Sequence, residues 1–214
     1  MTTYLESSDD GYIYLTGTSY TVYDYSDAGS ENYIIAPGRH TAANVYDTTW
    51  ETRAYKRFLL GISSGTVSEA LLYFYLNSIP SNDAQLSCNL EQINDYETLV
   101  ASSADWGITV KKDYGACMTY NQAPGWISVD VTTEIEASKA DAYAAFRWRI
   151  ATAPAAGKSQ GFLIKAYEAT AYKAYLAITL TGGWAHARTG VANASIGSVT
   201  GVVKASIGNI TGVA

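Results

Sequence analysis

Metal-binding and charged residues are scarce in this chain of 214 residues. It has two His (His40 and His186) and two Cys (Cys88 and Cys117), with no cluster at metal-ligand spacing. No zinc site is expected, and no other metal or cofactor. Two thiols do not make a disulfide framework. Cys88 and Cys117 can pair, but in a chain made in the cytoplasm they are expected to stay reduced. Charged residues make up 16% of the sequence, 14 basic against 20 acidic, for a formal net charge of −6. That balance lacks the basic footprint of a nucleic-acid binder. No apolar run approaches the roughly 18 residues needed to span a bilayer, so no membrane partner is expected. The first ten residues, MTTYLESSDD, have neither a basic stretch nor an apolar stretch, and predict no secretory signal.

Tyrosine is abundant instead: 18 Tyr stand against 4 Phe. An apolar ring with a wet hydroxyl suits half-exposed sheet faces, protein interfaces and sugar-binding surfaces. Tyr is also simply a good strand former. Period-two patterns recur along the chain. In Thr66–Leu76, Ala70, Leu72, Phe74 and Leu76 fall on one face, and Glu69, Leu71, Tyr73 and Tyr75 on the other, so both faces are expected to be at least partly covered. Residues 126–131 set Trp126, Ser128 and Asp130 against Ile127, Val129 and Val131. Further strands are predicted at 12–15, 18–25, 32–36, 54–60, 85–92, 143–150, 162–167 and 176–180, punctuated by Gly, Asn, Asp and Ser. Only 132–140 and 95–101 suggest short helices. The pattern predicts an all-β protein, an antiparallel jelly-roll-like β-sandwich over residues 1–183.

After Gly182-Gly183 the composition changes. Aromatics stop at Trp184, and an 11-residue repeat takes over. TGVANASIGSV (189–199) is followed by TGVVKASIGNI (200–210), identical at seven of eleven positions, and then by a third start, TGVA (211–214). A period of eleven can mark a right-handed coiled coil. Two Gly and several β-branched residues per unit oppose helix, which favours an extended, β-like segment over 184–214. Burying apolar side chains such as Ile196 and Ile207 gains roughly 1.5–3 kcal/mol each. Fixing each backbone residue costs about 1–2 kcal/mol. The segment is therefore expected to gain its order on a partner, by strand addition to another chain. The docking residues are Val191, Ile196, Val199, Val202, Ile207, Ile210 and Val213.

Catalytic constellations are not found. Gly61-Ile-Ser-Ser-Gly65 has the spelling of a nucleophile elbow, but the strand pattern that follows it predicts an inter-strand loop. Gly157-Lys158-Ser159 lacks the upstream Gly of a phosphate loop, where Thr152 stands. Asp9 with Asp10, Asp24 with Asp27, and Asp130 with Glu134 and Glu136 read as solvated turns more readily than as hydrolytic or calcium sites. No catalytic residue is assigned and no enzyme is expected. Among the five Trp, Trp126 and Trp148 lie in strand patterns and are expected in the core. Trp50 and Trp106 lie in loop-like stretches and are the candidates for glycan contact.

The order of several stretches resembles the DNRLRE-type domains, β-sandwiches related to carbohydrate-binding modules. These are Tyr55-Lys-Arg-Phe-Leu-Leu-Gly-Ile62 and residues 65–75. Trp106, Tyr120-Asn-Gln-Ala-Pro124, Trp126 and Asp130-Val-Thr132 follow, and then Phe162–Glu168 and Tyr175-Leu176. The resemblance covers residues 9–182 and implies a jelly-roll-like sandwich, with members acting as glycan binders or as structural modules. The insert at 36–52 is longer than that family's pattern. The C-terminal units, through Thr-Gly-Val and Ala-Ser-Ile-Gly, are similar to repeats at the ends or joints of tailed-bacteriophage structural proteins. That likeness implies a virion surface protein, a capsid decoration, head-fibre or tail-associated component made in the host cytoplasm. Its partners would be other virion proteins or copies of itself, as in a trimer, with weak binding to host-surface glycans. The alternatives are an adhesion or carbohydrate-binding module of a cell-surface protein, and a filament subunit that donates its C-terminal strand.

Overall fold

The computed structural model describes residues 2–6, 9–16, 19–24, 33–41, 49–62, 64–79, 81–82, 85–100, 102–152, 154, 158–166, 171–181, 198–199 and 202–203. The chain is all-β and antiparallel, as its alternating pattern predicts. The first half supplies β1 (Thr2–Glu6), β2 (Asp9–Thr16), β3 (Ser19–Asp24), β4 (Tyr33–Thr41), β5 (Thr49–Leu59), β6 (Thr66–Ser78), β7 (Ser81–Asn82) and β8 (Cys88–Ile93). A helical turn α1 (Ser103–Trp106) precedes β9 (Val110–Met118) and β10 (Gly125–Asp130). Then come α2 (Thr132–Ala137), β11 (Tyr143–Arg149), β12 (Ser159–Lys165) and β13 (Tyr175–Thr181). A separate two-stranded pair, β14 (Ser198–Val199) with β15 (Val202–Val203), lies in the repeat segment.

Thirteen strands form one sheet that folds back over itself. Strand β6 carries β10 along one edge, and β13 followed by β12 along the other. With β1 on the far side of β13, this makes a first layer ordered β1-β13-β6-β10. Strand β5 carries β2 and β3 on one side and β11, β8 and β9 on the other. Strands β12 and β4 join the two layers at a corner, because β12 pairs with β4 and β4 with β5.

The core lies between the layers. Ala70, Leu72, Phe74 and Leu76 of β6 are buried, as their alternation predicts, and face Ala54, Phe58, Phe146 and Trp148 of the second layer. Phe74 meets Trp148 edge to face, with ring centroids 5.2 Å apart. Among the described residues the Trp148 indole N–H has no hydrogen-bond partner, and the ring is held by packing.

A second, smaller core covers the outer face of the second layer. Tyr55, Ile93, Tyr96 and Ala145 are buried there beneath Leu99, Trp106 and Ile108 of the β8–β9 connection. Three arginines strap this connection down. Arg57 grips Asp95 with two hydrogen bonds of 2.7 and 2.8 Å, while Arg53 and Arg147 both donate to the Trp106 carbonyl. The helix expected at 95–101 is not formed. The helical turn comes later, where Ser102 caps α1 by accepting a hydrogen bond from the Asp105 amide at 3.1 Å.

Candidate functional site

The outer face of the first layer carries an exposed run of aromatic rings. Strand geometry sends alternate side chains to opposite faces, so burying Leu72, Phe74, Leu176, Ile178 and Ile127 turns Tyr73, Tyr75, Tyr175 and Trp126 outward. Trp126 is therefore not a core residue: it is 45% exposed. Its neighbours in the alternation, Ser128 and Asp130, are exposed with it. Register then brings the rings together. Trp126 stands opposite Tyr75, and Tyr175 opposite Tyr73.

Tyr175 stacks on Tyr73 at 4.7 Å, and Tyr172 stacks on Tyr75 at 4.4 Å. Trp126 presents an edge to Tyr75 at 5.5 Å, to Tyr175 at 5.5 Å and to Tyr172 at 6.1 Å. Tyr4 of β1 completes the row against Tyr175 at 5.8 Å. Burial against Tyr73 and Tyr4 raises the Tyr175 hydroxyl pKa, so the phenol stays protonated. Beside these rings lies a cleft of about 520 Å³, lined by Tyr4, Glu6, Trp126, Ala171, Tyr172, Lys173 and Tyr175. Glu6 and Lys173 stand 3.9 Å apart in it.

Tyr172 reaches this position through the left-handed backbone region, with φ of 64°. A non-glycine residue there costs free energy and persists only when its surroundings hold it. Here the stacking on Tyr75 and the edge contact with Trp126 hold it, and the ring stays half exposed.

The other candidates fall elsewhere. Trp106 ends α1, where its ring covers the Arg53 guanidinium at 3.8 Å and is partly buried against the second core. It takes no part in the aromatic face. Trp50 lies in β5, opposite His40 and Thr16, rather than in a loop; its side chain lies outside the described residues. Of the docking residues, Val199 and Val202 pair with each other across the β14–β15 ladder, while Val191, Ile196, Ile207, Ile210 and Val213 lie outside the described residues.

Each carboxylate of the 130–136 cluster has a structural partner. Asp130 accepts hydrogen bonds from the Thr132 amide and hydroxyl, which lower its pKa. Glu134 accepts from the Tyr114 hydroxyl, whose own pKa burial raises. Glu136 accepts from the Val67 amide and pairs with Lys139. No group of three or more potential metal ligands occurs among the described residues. The loop 61–65 leads into β6 and not into a helix, and residues 158–159 likewise lead into β12. Among the described residues no helix is long and apolar enough to cross a membrane.

Both cysteines carry free thiols. Cys88 is buried, and Cys117, on the neighbouring strand β9, points its thiol at the Cys88 carbonyl at 3.4 Å. Burial, reinforced by the Cys117 thiol, raises the Cys88 pKa well above its ordinary value. No protein-family model matches the chain, and no curated protein matches it.

Proposed function

We propose that this chain is a virion structural protein of a tailed bacteriophage, a capsid decoration, head-fibre or tail-associated component. Its C-terminal repeats anchor it, and its sandwich is displayed toward the host surface. The observation that carries this reading is the repeat itself, with Thr-Gly-Val and Ala-Ser-Ile-Gly recurring at 189–197 and 200–208. The resemblance of those units to the terminal repeats of phage structural proteins supplies the setting.

The fold supports a division of labour. Among the described residues, the fully buried side chains of both cores lie between Ile13 and Ile178, all of them in the sandwich. A domain with its own core leaves a terminal segment available for attachment. The pairing of Val199 with Val202 brackets Thr200-Gly201, the dipeptide that opens each repeat. That local strand pairing suits a segment that adds to another chain's β-structure, whether a different virion protein or another copy around a symmetry axis.

Deletion of residues 184–214 tests the reading. The shortened protein is expected to keep the circular dichroism and cooperative unfolding of the full chain, and to be missing from assembled particles. Normal incorporation of the shortened protein would overturn it.

A further inference from the structure

We propose that the cleft beside Trp126 is a binding site for a neutral oligosaccharide, with the ring faces of Trp126, Tyr172 and Tyr4 as the stacking surface. The inference extends the host-facing half of the reading above but stands without it, because the domain needs no particle to hold a sugar.

Three features of the cleft select that ligand. The first is the lining, which combines three Tyr and one Trp with a single small aliphatic residue, Ala171. A cyclic sugar has an apolar C–H face and a polar rim, so it can lay the one on an aromatic ring and turn the other to hydrogen-bonding groups. Glu6 and Lys173 provide an acceptor and a donor in the same cleft, 3.9 Å from each other. An interface built for a protein partner draws on Phe, Met and Arg as well as Tyr and Trp, and among the described residues none of those three lines this cleft.

Charge sets the class of sugar. Among the described residues the cleft pairs one acid, Glu6, with one cation, Lys173, while Glu69 and Asp130 stand exposed farther along the same face. A cleft without net charge, in a chain of net charge −6, gives uronic and sulfated glycans no attraction to offset the general repulsion. Neutral hexose and N-acetylhexosamine chains carry no such penalty.

The third feature is the backbone of Tyr172. A left-handed tyrosine at the lip of a cleft spends stability to keep one ring half exposed among Tyr75 and Trp126. Sheet packing alone would be better served by a glycine turn and a smaller side chain. The strain has a use if the ring must meet a ligand.

Isothermal titration of the full chain against neutral gluco-, galacto- and N-acetylglucosamine oligosaccharides tests the site, with heparin and alginate fragments as anionic probes. At least one neutral series is expected to bind saturably, and the anionic fragments not at all. Trp126→Ala and Tyr172→Ala should each weaken binding by about tenfold or more, whereas Leu59→Ala, exposed on the other layer, should leave it unchanged. Trp126→Phe should retain part of it.

Absence of binding by every neutral series overturns the proposal, as does binding that survives both ring deletions. Sedimentation equilibrium on the same proteins covers the competing occupants. Self-association that Trp126→Ala abolishes would assign the face to a second copy. Sugar binding that appears only after residues 184–214 are removed would assign it to the chain's own C-terminal segment.

Discussion

Trp126 and Tyr75 face each other across the β10–β6 ladder, their rings perpendicular at 5.5 Å, on the side of the layer away from the core. Trp148 meets Phe74, the neighbour of Tyr75 on β6, in nearly the same edge-to-face geometry, but between the layers. One strand thus supports an exposed tryptophan on one face and a fully buried one on the other. The two should respond very differently to truncation. Trp148→Ala is expected to cost about 3–5 kcal/mol of stability, because the cavity it leaves is closed on all sides. Trp126→Ala removes a half-exposed cross-strand contact worth roughly 0.2–1 kcal/mol. Urea denaturation of the two variants measures the difference, and similar losses for both would contradict the placement of Trp126.

The left-handed backbone at Tyr172 gives a second comparison. Tyr172→Ala and Tyr172→Gly both remove the ring and its stacking on Tyr75. Only glycine removes the conformational cost of φ at 64°. The glycine variant is expected to be the more stable of the two by about 1 kcal/mol, reversing the order found at ordinary positions. Thermal or urea unfolding of the pair reads this directly. An alanine variant equal to or above the glycine variant would mean that the turn relaxes out of the left-handed region.

The layers and the core were legible in the sequence because central strands are punctuated and alternate, as in Ala70–Leu76. The edges were not. Strand β1 buries little beyond Leu5, and β9 opens on Val110, Lys111, Lys112 and Asp113, all exposed. An edge strand packs weakly and carries charge against aggregation, so its apolar signal is thin. Gly115, with φ of 76°, and three register shifts against β8 break the β9 alternation further.

Trp126 departs from expectation for a different reason. Lying in a strand pattern does not by itself place a Trp in the core, and the alternation of Trp126 with Ser128 and Asp130 argues for the surface. The strand period decides, because the pleat fixes direction. The aromatic face itself depends on register between strands far apart in sequence. Tyr75, Trp126, Tyr172 and Tyr175 share no local motif.

One of the straps over the second core, Arg147, rests on a buried carboxylate. Glu91 accepts from Arg147 at 2.8 Å and from Arg149 at 2.6 Å, and both Glu91 and Arg147 are almost completely buried. Arg147 also holds the Trp106 and Ile108 carbonyls. Glu91→Ala strands a buried guanidinium and is expected to cost about 3–5 kcal/mol. Replacing Glu91 and Arg147 together by apolar residues of similar volume should cost much less, because no unpaired charge is left behind. Hydrogen exchange over residues 94–109 should accelerate in Glu91→Ala beyond the rest of the second layer, and equal acceleration everywhere would argue against a strap.

The anchoring of α2 to β6 is acid-sensitive, and its sign follows from the direction of two shifts. Lys139 and the Val67 amide hold the Glu136 pKa below its ordinary 4.5, and the Thr132 hydroxyl and amide hold Asp130 below its ordinary 3.8. A carboxylate with a depressed folded-state pKa binds its proton less readily in the native protein than in the unfolded chain. Its contribution is therefore present in full above the ordinary value, and is lost as pH falls through the folded-state value. Stability should start to decline as pH drops toward 4.5, first through Glu136 and then, below 3.8, through Asp130. Glu136→Gln keeps an acceptor for the Val67 amide but removes the charge that Lys139 meets. It should lower stability at neutral pH and flatten the upper part of the acid limb, leaving the Asp130 part in place. Urea midpoints collected from pH 7 to pH 3 for both proteins decide the matter: parallel curves would show that Glu136 titrates alike in the folded and unfolded chains, and that the Lys139 contact holds nothing.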